Sequence, residues 1–285
     1  MRAAALVLAG TLLAGCAGVG GAGAGGGPLV PLATFGGADA VRLGLRYPTE
    51  AAGNLSAVFA YDARSRRIVA LDPFRSEAEV VKVPDLVPVT DLWYTGSETL
   101  YLAEPTRSRV RRIDRRGRVE RVYSAPAELP RPVAVAVEGA GRRVWVADGA
   151  FARIGRFDAL GMLLETRELP PGAAPTALAL DGQGRLLVLD GRRGAVLRAG
   201  PDGGWETVLG PGRVPDPVAF AALPGGWLAV AGRDGALHLA EQEPGRRRLP
   251  VPALTGVRDL WFSGMVLVAA RPLEGEVVLL QWRGP

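Results

Sequence analysis

A self-similarity of about 42 residues, two apolar strands around a glycine-bearing turn inside each copy, and little helical periodicity together predict an all-β chain. The architecture they point to is a six-bladed β-propeller of four-stranded antiparallel blades, closed by an N-terminal strand that completes the last blade. Composition agrees. Of 285 residues, 39 are glycine and 23 proline, spread along the chain as turn formers, and 48% hydrophobic content supplies a large core.

The copies align as follows. DLWYTGSETLYLAE (Asp91 to Glu104) matches ALALDGQGRLLVLD (Ala177 to Asp190) and AFAALPGGWLAVAG (Ala219 to Gly232) without a gap. A longer version ends at Asp148, a shorter one at Ala270, and a diverged first copy ends in VFAYD at Asp62. The ends Asp62, Glu104, Asp148, Asp190, Gly232 and Ala270 lie 42, 44, 42, 42 and 38 residues apart. In the fourth copy strands are expected at Thr176 to Leu180, Leu186 to Leu189, Ala195 to Ala199 and Trp205 to Leu209, separated by the turns DGQG, DGRRG and PDGG. The sixth copy offers Arg258 to Phe262, Val266 to Ala269 and Glu276 to Trp282, and then lacks an outer strand. PLVPLATF, Pro28 to Phe35, precedes blade one without a partner of its own, so it is expected to close blade six and to bury Leu29, Val30, Leu32 and Phe35.

Stretches such as VADGAFARIGRFDALG (Val146 to Gly161) and AEPTRSRVRRIDRRG (Ala103 to Gly117), with Arg67-Ile68, Arg109-Val110 and Arg153-Ile154 in matching places, resemble NHL repeats. That resemblance implies the propeller fold from residue 28 to 285. No copy carries the histidine that helps to name the family, and the resemblance carries little about function.

Ahead of the repeats, Met1 and Arg2, an apolar run from Ala3 to Leu13, and LAGC ending at Cys16 resemble the signal peptide and lipobox of bacterial lipoproteins. The run is too short to span a bilayer, which takes about 20 residues. Residues 1–16 would be the signal with its modified cysteine, and Cys16 would carry the lipid. It is the only cysteine, so the protein can hold no internal disulfide. Residues 17–27, AGVGGAGAGGG, have the composition of a tether. Ala17 stands where the family's inner-membrane members carry aspartate, so the expected place is the cell envelope, at the outer membrane, anchored through the N-terminal lipid.

Charge is +5, with Lys82 the single lysine, and that bias towards arginine reads as codon usage rather than as a nucleic-acid interface. No nucleic-acid partner is expected, and a monomeric propeller is. His238 is the only histidine and Asn54 the only asparagine. Propeller lactonases hold a cation with two asparagines among other ligands, and propeller lyases acting on amidated-peptide precursors hold zinc with several histidines; neither set can be assembled here. With no GxSxG nucleophile either, no cofactor, metal or catalytic residue is expected, and His238 reads as an ordinary strand residue.

Two features suit binding instead. Asp91 with Trp93, and Asp259 with Trp261, stand in inner strands where copies three to five carry alanine, and a carboxylate beside a large ring suits sugars or cationic groups. Loops after the second strands carry Arg107, Arg153, Arg192, Arg193, Arg233 and Arg271 to one end of the ring, a candidate docking surface for an envelope protein or glycan. The arginines from Arg107 to Arg121 and the triplet Arg246 to Arg248 read as solvated outer strands. The alternative to a binding module is a propeller enzyme or small-ligand sensor working at the channel mouth.

Overall fold

The computed structural model describes residues 27–285 apart from 76, 97, 243–247, 250, 252 and 253. Six four-stranded antiparallel sheets form the blades. Their inner strands are Pro48–Gly53, Asp91–Tyr94, Pro132–Glu138, Pro175–Leu180, Pro217–Leu223 and Asp259–Ser263. Blade four follows the sequence reading closely: Pro175–Leu180, Leu186–Asp190, Ala195–Ala199 and Trp205–Leu209. Among the described residues the outer strand of blade five is Arg248–Leu249. Arg246 and Arg247 lie outside the described residues, as do Cys16 and the segment 1–26. Among the described residues no helix is long and apolar enough to cross a membrane.

Blade six closes as expected. Leu29–Gly36 pairs antiparallel with Glu276–Trp282, which pairs with Val266–Arg271, and that strand pairs with Asp259–Ser263. Leu29 and Phe35 are 2% and 3% exposed and insert on either side of the blade. Leu32 does not, contrary to expectation. A bulge between Pro31 and Ala33 leaves it unpaired and 43% exposed, because the extra residue in one strand of a pair loses its opposite number. The strand ends at Gly36, where φ is +108° and a Cβ would meet the Gly275 carbonyl oxygen at 1.9 Å, so glycine is required.

The core is the set of gaps between blades. Alternating residues of each strand pack against one neighbouring blade or the other, as Val58, Ala60, Val69 and Leu71 do towards blade six and Phe59, Tyr61 and Ile68 towards blade two. Second strands are buried on both faces, so Val58–Asp62, Thr99–Glu104 and Trp227–Gly232 are wholly inside.

Register corrects one alignment. Asp259 lies opposite Ala270 as Ala219 lies opposite Ala231 and Ala134 opposite Ala147. Arg271, not Ala270, is therefore the blade-six counterpart of Asp62, Glu104, Asp148, Asp190 and Gly232.

Each blade has a turn end and a hairpin end. Loops after the second strands, and the segments entering the inner strands, lie at the turn end. The hairpins joining first to second and third to fourth strands lie at the other.

Candidate functional site

The acidic residue that ends most second strands is structural. Asp62, Glu104, Asp148 and Asp190 are completely buried. Asp62 accepts hydrogen bonds from the backbone of Ser65 in its own turn and of Arg46 and Tyr47 in the segment entering the blade. Asp148 does the same for Ala150, Phe151 and Arg131, and Asp190 for Arg192, Arg193 and Ala174. Each buried carboxylate thus satisfies N–H groups of a turn that has no ladder to supply acceptors. Glu104 is held instead by Arg109 and Arg111. Arg111 is 3% exposed, so this member of the Arg107 to Arg121 cluster is a buried ion-pair partner rather than a solvated one.

The channel mouth opens at the turn end. A cavity of about 910 Å³ is lined by Glu50, Asp91 and Asp259 from three consecutive blades, one, two and six. Register makes these three equivalent: Glu50 faces Tyr61, Asp91 faces Ala103 and Asp259 faces Ala270, while blades three to five place Ala134, Ala177 and Ala219 at the same level. Half the ring is therefore acidic and half is methyl. Sequence reasoning found both aspartates and missed Glu50. Its signal was the triplet Pro48-Thr49-Glu50, which matches Pro132-Val133-Ala134, Pro175-Thr176-Ala177 and Pro217-Val218-Ala219. In those four blades one residue bulges after the proline.

Both aspartates also join blades. The inner strand of a propeller has no partner on its channel side, which leaves N–H groups to be satisfied. Asp91 accepts from its own Leu92 N–H at 2.8 Å and from Val135 of blade three at 2.7 Å. Asp259 accepts from Leu260 at 2.8 Å and from Ala51 of blade one at 2.9 Å.

Burial pushes the Asp91 carboxyl up to about 8, with the nearby Asp259 adding to the shift, although the two backbone donors pull the other way. Asp259 is raised to about 6 by burial, against the Ala51 and Leu260 donors and the Arg258 guanidinium. Glu50 is raised well above its ordinary value, first by burial and then by the charges of Asp259 and Asp91. Burial thus pushes all three carboxyls towards their neutral forms, and repulsion between them adds to the shift at Glu50 and Asp91.

Below the carboxylates the channel is closed. Trp93 and Trp261, two residues further along their strands, meet edge to face with ring centroids 4.3 Å apart. The Trp261 indole N–H donates to the Gly53 carbonyl at 3.0 Å. A void of only about 30 Å³ remains at this level, between the two rings and the strands of blades four, five and six.

The candidate arginines divide. Arg192 and Arg233 line the cavity, joined by Arg66 of the same set of loops and by Arg131 and Arg258 from the segments entering the inner strands. Arg66, Arg192 and Arg233 are exposed and make no ion pair with a described residue. Arg107 is also exposed, in the short turn Pro105–Arg107, outside the cavity lining. Arg153 pairs with Glu168 at 2.7 Å, Arg193 with Asp190 at 3.1 Å, and Arg271 with Glu276 and with Glu274 at 3.4 Å, so these three are tied to their own blades. His238 sits in the third strand of blade five, opposite Val230 and away from the mouth, its Nε2 without a hydrogen-bond partner among the described residues. Among the described residues no three His, Cys, Asp or Glu side chains are grouped to hold a metal ion.

No family model and no curated protein matches the chain. Solved structures do. A structural genomics protein of unknown function from Bacteroides thetaiotaomicron has a TM-score of 0.67 at 13% identity, over 83% of this chain and 70% of that one. Streptogramin B lyase has a TM-score of 0.63 at 14% identity, over 83% and 93% of the two chains. A catalytically inactive histidine-to-alanine form of virginiamycin B lyase from Staphylococcus aureus, solved with quinupristin, has a TM-score of 0.61 at 15% identity, over 82% and 94%. What the chain shares with all three is the β-propeller fold.

Proposed function

We propose that the chain is a lipid-anchored envelope protein whose propeller, of NHL-like repeats, is a non-catalytic binding module for a protein or glycan partner. The observation that carries this reading is the blind mouth itself. Trp93 and Trp261 close it below, Glu50, Asp91 and Asp259 form its floor, and Arg66, Arg192 and Arg233 stand round its rim without acidic partners among the described residues. Such a site suits an anionic ring on the partner surrounding a hydroxyl or cationic tip, since guanidinium forks match carboxylate and phosphate, and the floor carboxyls bind donors. Val41, Phe151 and Leu273 are exposed at the same end and give a protein partner apolar contact around the polar centre. The anchor rests on the lipobox ending at Cys16.

A second reading has one observation in its favour. A carboxyl raised to about 8, as at Asp91, is protonated at neutral pH and suits a general acid, so a propeller enzyme acting in this mouth is the alternative. His238 takes no part in either reading.

Crosslinking and capture from envelope extracts tests the proposal. Replacing Arg66, Arg192 and Arg233 together by Ala should weaken capture of the partner at least tenfold with the melting temperature unchanged, and His238→Ala should leave capture as it was. Turnover of a small molecule that is lost in Asp91→Ala and kept in the triple variant would move the assignment to the enzyme.

A further inference from the structure

We infer that the hairpin end of the propeller is the face turned to a phospholipid bilayer, so that the carboxylate cavity opens away from the membrane. The inference rests on the proposed acylation of Cys16 and adds to it an orientation and a contact surface.

The place where the chain enters the propeller decides the orientation. Leu29 pairs with Trp282, the Trp282 N–H donates to the Met265 carbonyl at 2.8 Å, and the Arg283 N–H donates to the Pro28 carbonyl at 2.9 Å. Residue 28 therefore lies beside the hairpin that joins the first two strands of blade six. The cavity is at the opposite end of the same strands, where Arg258 and Asp259 begin the inner strand and Gly36 meets Glu276. A glycine-rich stretch of the length of residues 17–27 has an average reach on the order of 20 Å. The eight-residue closure strand alone runs about 26 Å along the wall of blade six. For the cavity to face the bilayer, the segment would have to cover that wall, a distance beyond its average reach, before touching the membrane.

The end so presented carries the right side chains. Leu55, Phe74, Leu160, Met162 and Met265 all stand on hairpins there and are 39%, 67%, 71%, 62% and 57% exposed. They come from blades one, three and six as separate tips rather than as one groove, which suits a fluid apolar boundary more than a shaped partner. Exposed apolar residues also occur at the cavity end, so exposure alone does not choose between the faces; the entry point does. Charge at the hairpin end is mixed, with pairs such as Arg115 to Glu98 and Arg118 to Asp114 beside Glu77 and Asp202. The contact is therefore made by apolar tips at the headgroup boundary and should depend little on anionic lipid.

The full, acylated chain in vesicles of phosphatidylcholine and phosphatidylethanolamine supplies the test. Cys16 is the only native cysteine, so with its thiol acylated a single introduced cysteine takes the fluorescent label. Labels at Met265→Cys and Leu160→Cys should be quenched by nitroxide-bearing lipid at least threefold more than labels at Arg192→Cys and Leu273→Cys, with the order reversed for aqueous iodide. Phe74→Cys replaces either hairpin variant that melts early. Equal quenching at both ends in a chain that floats with the vesicles would overturn the orientation and leave the anchor standing. A chain that takes no acyl label and does not float would overturn both.

Discussion

Trp93 and Trp261 touch edge to face at 4.3 Å although they belong to blades two and six, with blade one between them. Blade one carries Ala52 at the matching level, so the two rings close over it and across the axis. The contact couples three blades where the ring is sealed.

Trp261→Ala should cost about 3–5 kcal/mol, the usual range for losing a large packed aromatic, and it also leaves the Gly53 carbonyl without its donor. Denaturant unfolding measures this. A double-mutant cycle with Trp93→Ala should give a coupling of about 0.5–1.5 kcal/mol, and strict additivity would mean that the rings act independently.

Glu50→Gln should stabilise the protein increasingly as pH rises. A carboxyl whose folded pKa is raised favours the folded state below its unfolded value, ordinarily near 4.5, and loses that contribution as pH climbs through the folded value. Wild type and variant should melt together near pH 4 and separate by about 1 kcal/mol or more near pH 8, because moving a pKa by a single pH unit on folding changes stability by about 1.4 kcal/mol. Thermal melts across that window would show a constant difference if Glu50 titrated normally.

Asp190→Ala should cost about 2–4 kcal/mol, because the carboxylate accepts from three backbone N–H groups and hydrogen bonds to charged groups are worth about 1.5–3 kcal/mol each before relaxation. Asp234→Ala, an exposed turn residue of blade five that accepts from Ala236, should cost under about 1 kcal/mol. Urea midpoints of the two variants give the comparison.

Removing residues 17–27 should leave the melting temperature unchanged, whereas removal through Gly36 should cost several kcal/mol. Leu29 and Phe35 are each worth about 1.5–3 kcal/mol of burial, and the pairing with Glu276–Trp282 is lost as well. Leu32→Ser, at the exposed bulge, should change stability by less than about 0.5 kcal/mol.

Period and turn chemistry made the blades legible. Ala195 to Ala199, Trp205 to Leu209 and Glu276 to Trp282 are strands with the bounds read from the sequence, because glycine turns and alternation agree there. What failed to show were events with no period. The Leu32 bulge moves a side chain by one place without altering composition. Glu50 escaped for another reason: the diverged first copy aligns only through VFAYD, which leaves its inner strand unmatched with those that carry Asp91 and Asp259. The tryptophan contact depends on ring closure, which brings residues from opposite ends of the repeat array together. Arginine loops were readable as a set, but pairing with Glu168, Asp190 and Glu276 separates Arg153, Arg193 and Arg271 from Arg192 and Arg233, and those partners lie on other strands or turns.

The pairing of Leu29 with Trp282 also governs timing. The first strand of the propeller to be synthesised is the last to find its place, since its partner belongs to the final blade. Blades one to five can form from local hairpins as they emerge, but the ring stays open, with the flanks of blades one and five uncovered, until the final strand arrives. Contacts of such long sequence separation make folding slow and leave sheet edges free to pair wrongly meanwhile. Loss of even a few residues around Trp282 should therefore reduce the yield of folded protein more than it reduces the melting temperature of whatever protein survives.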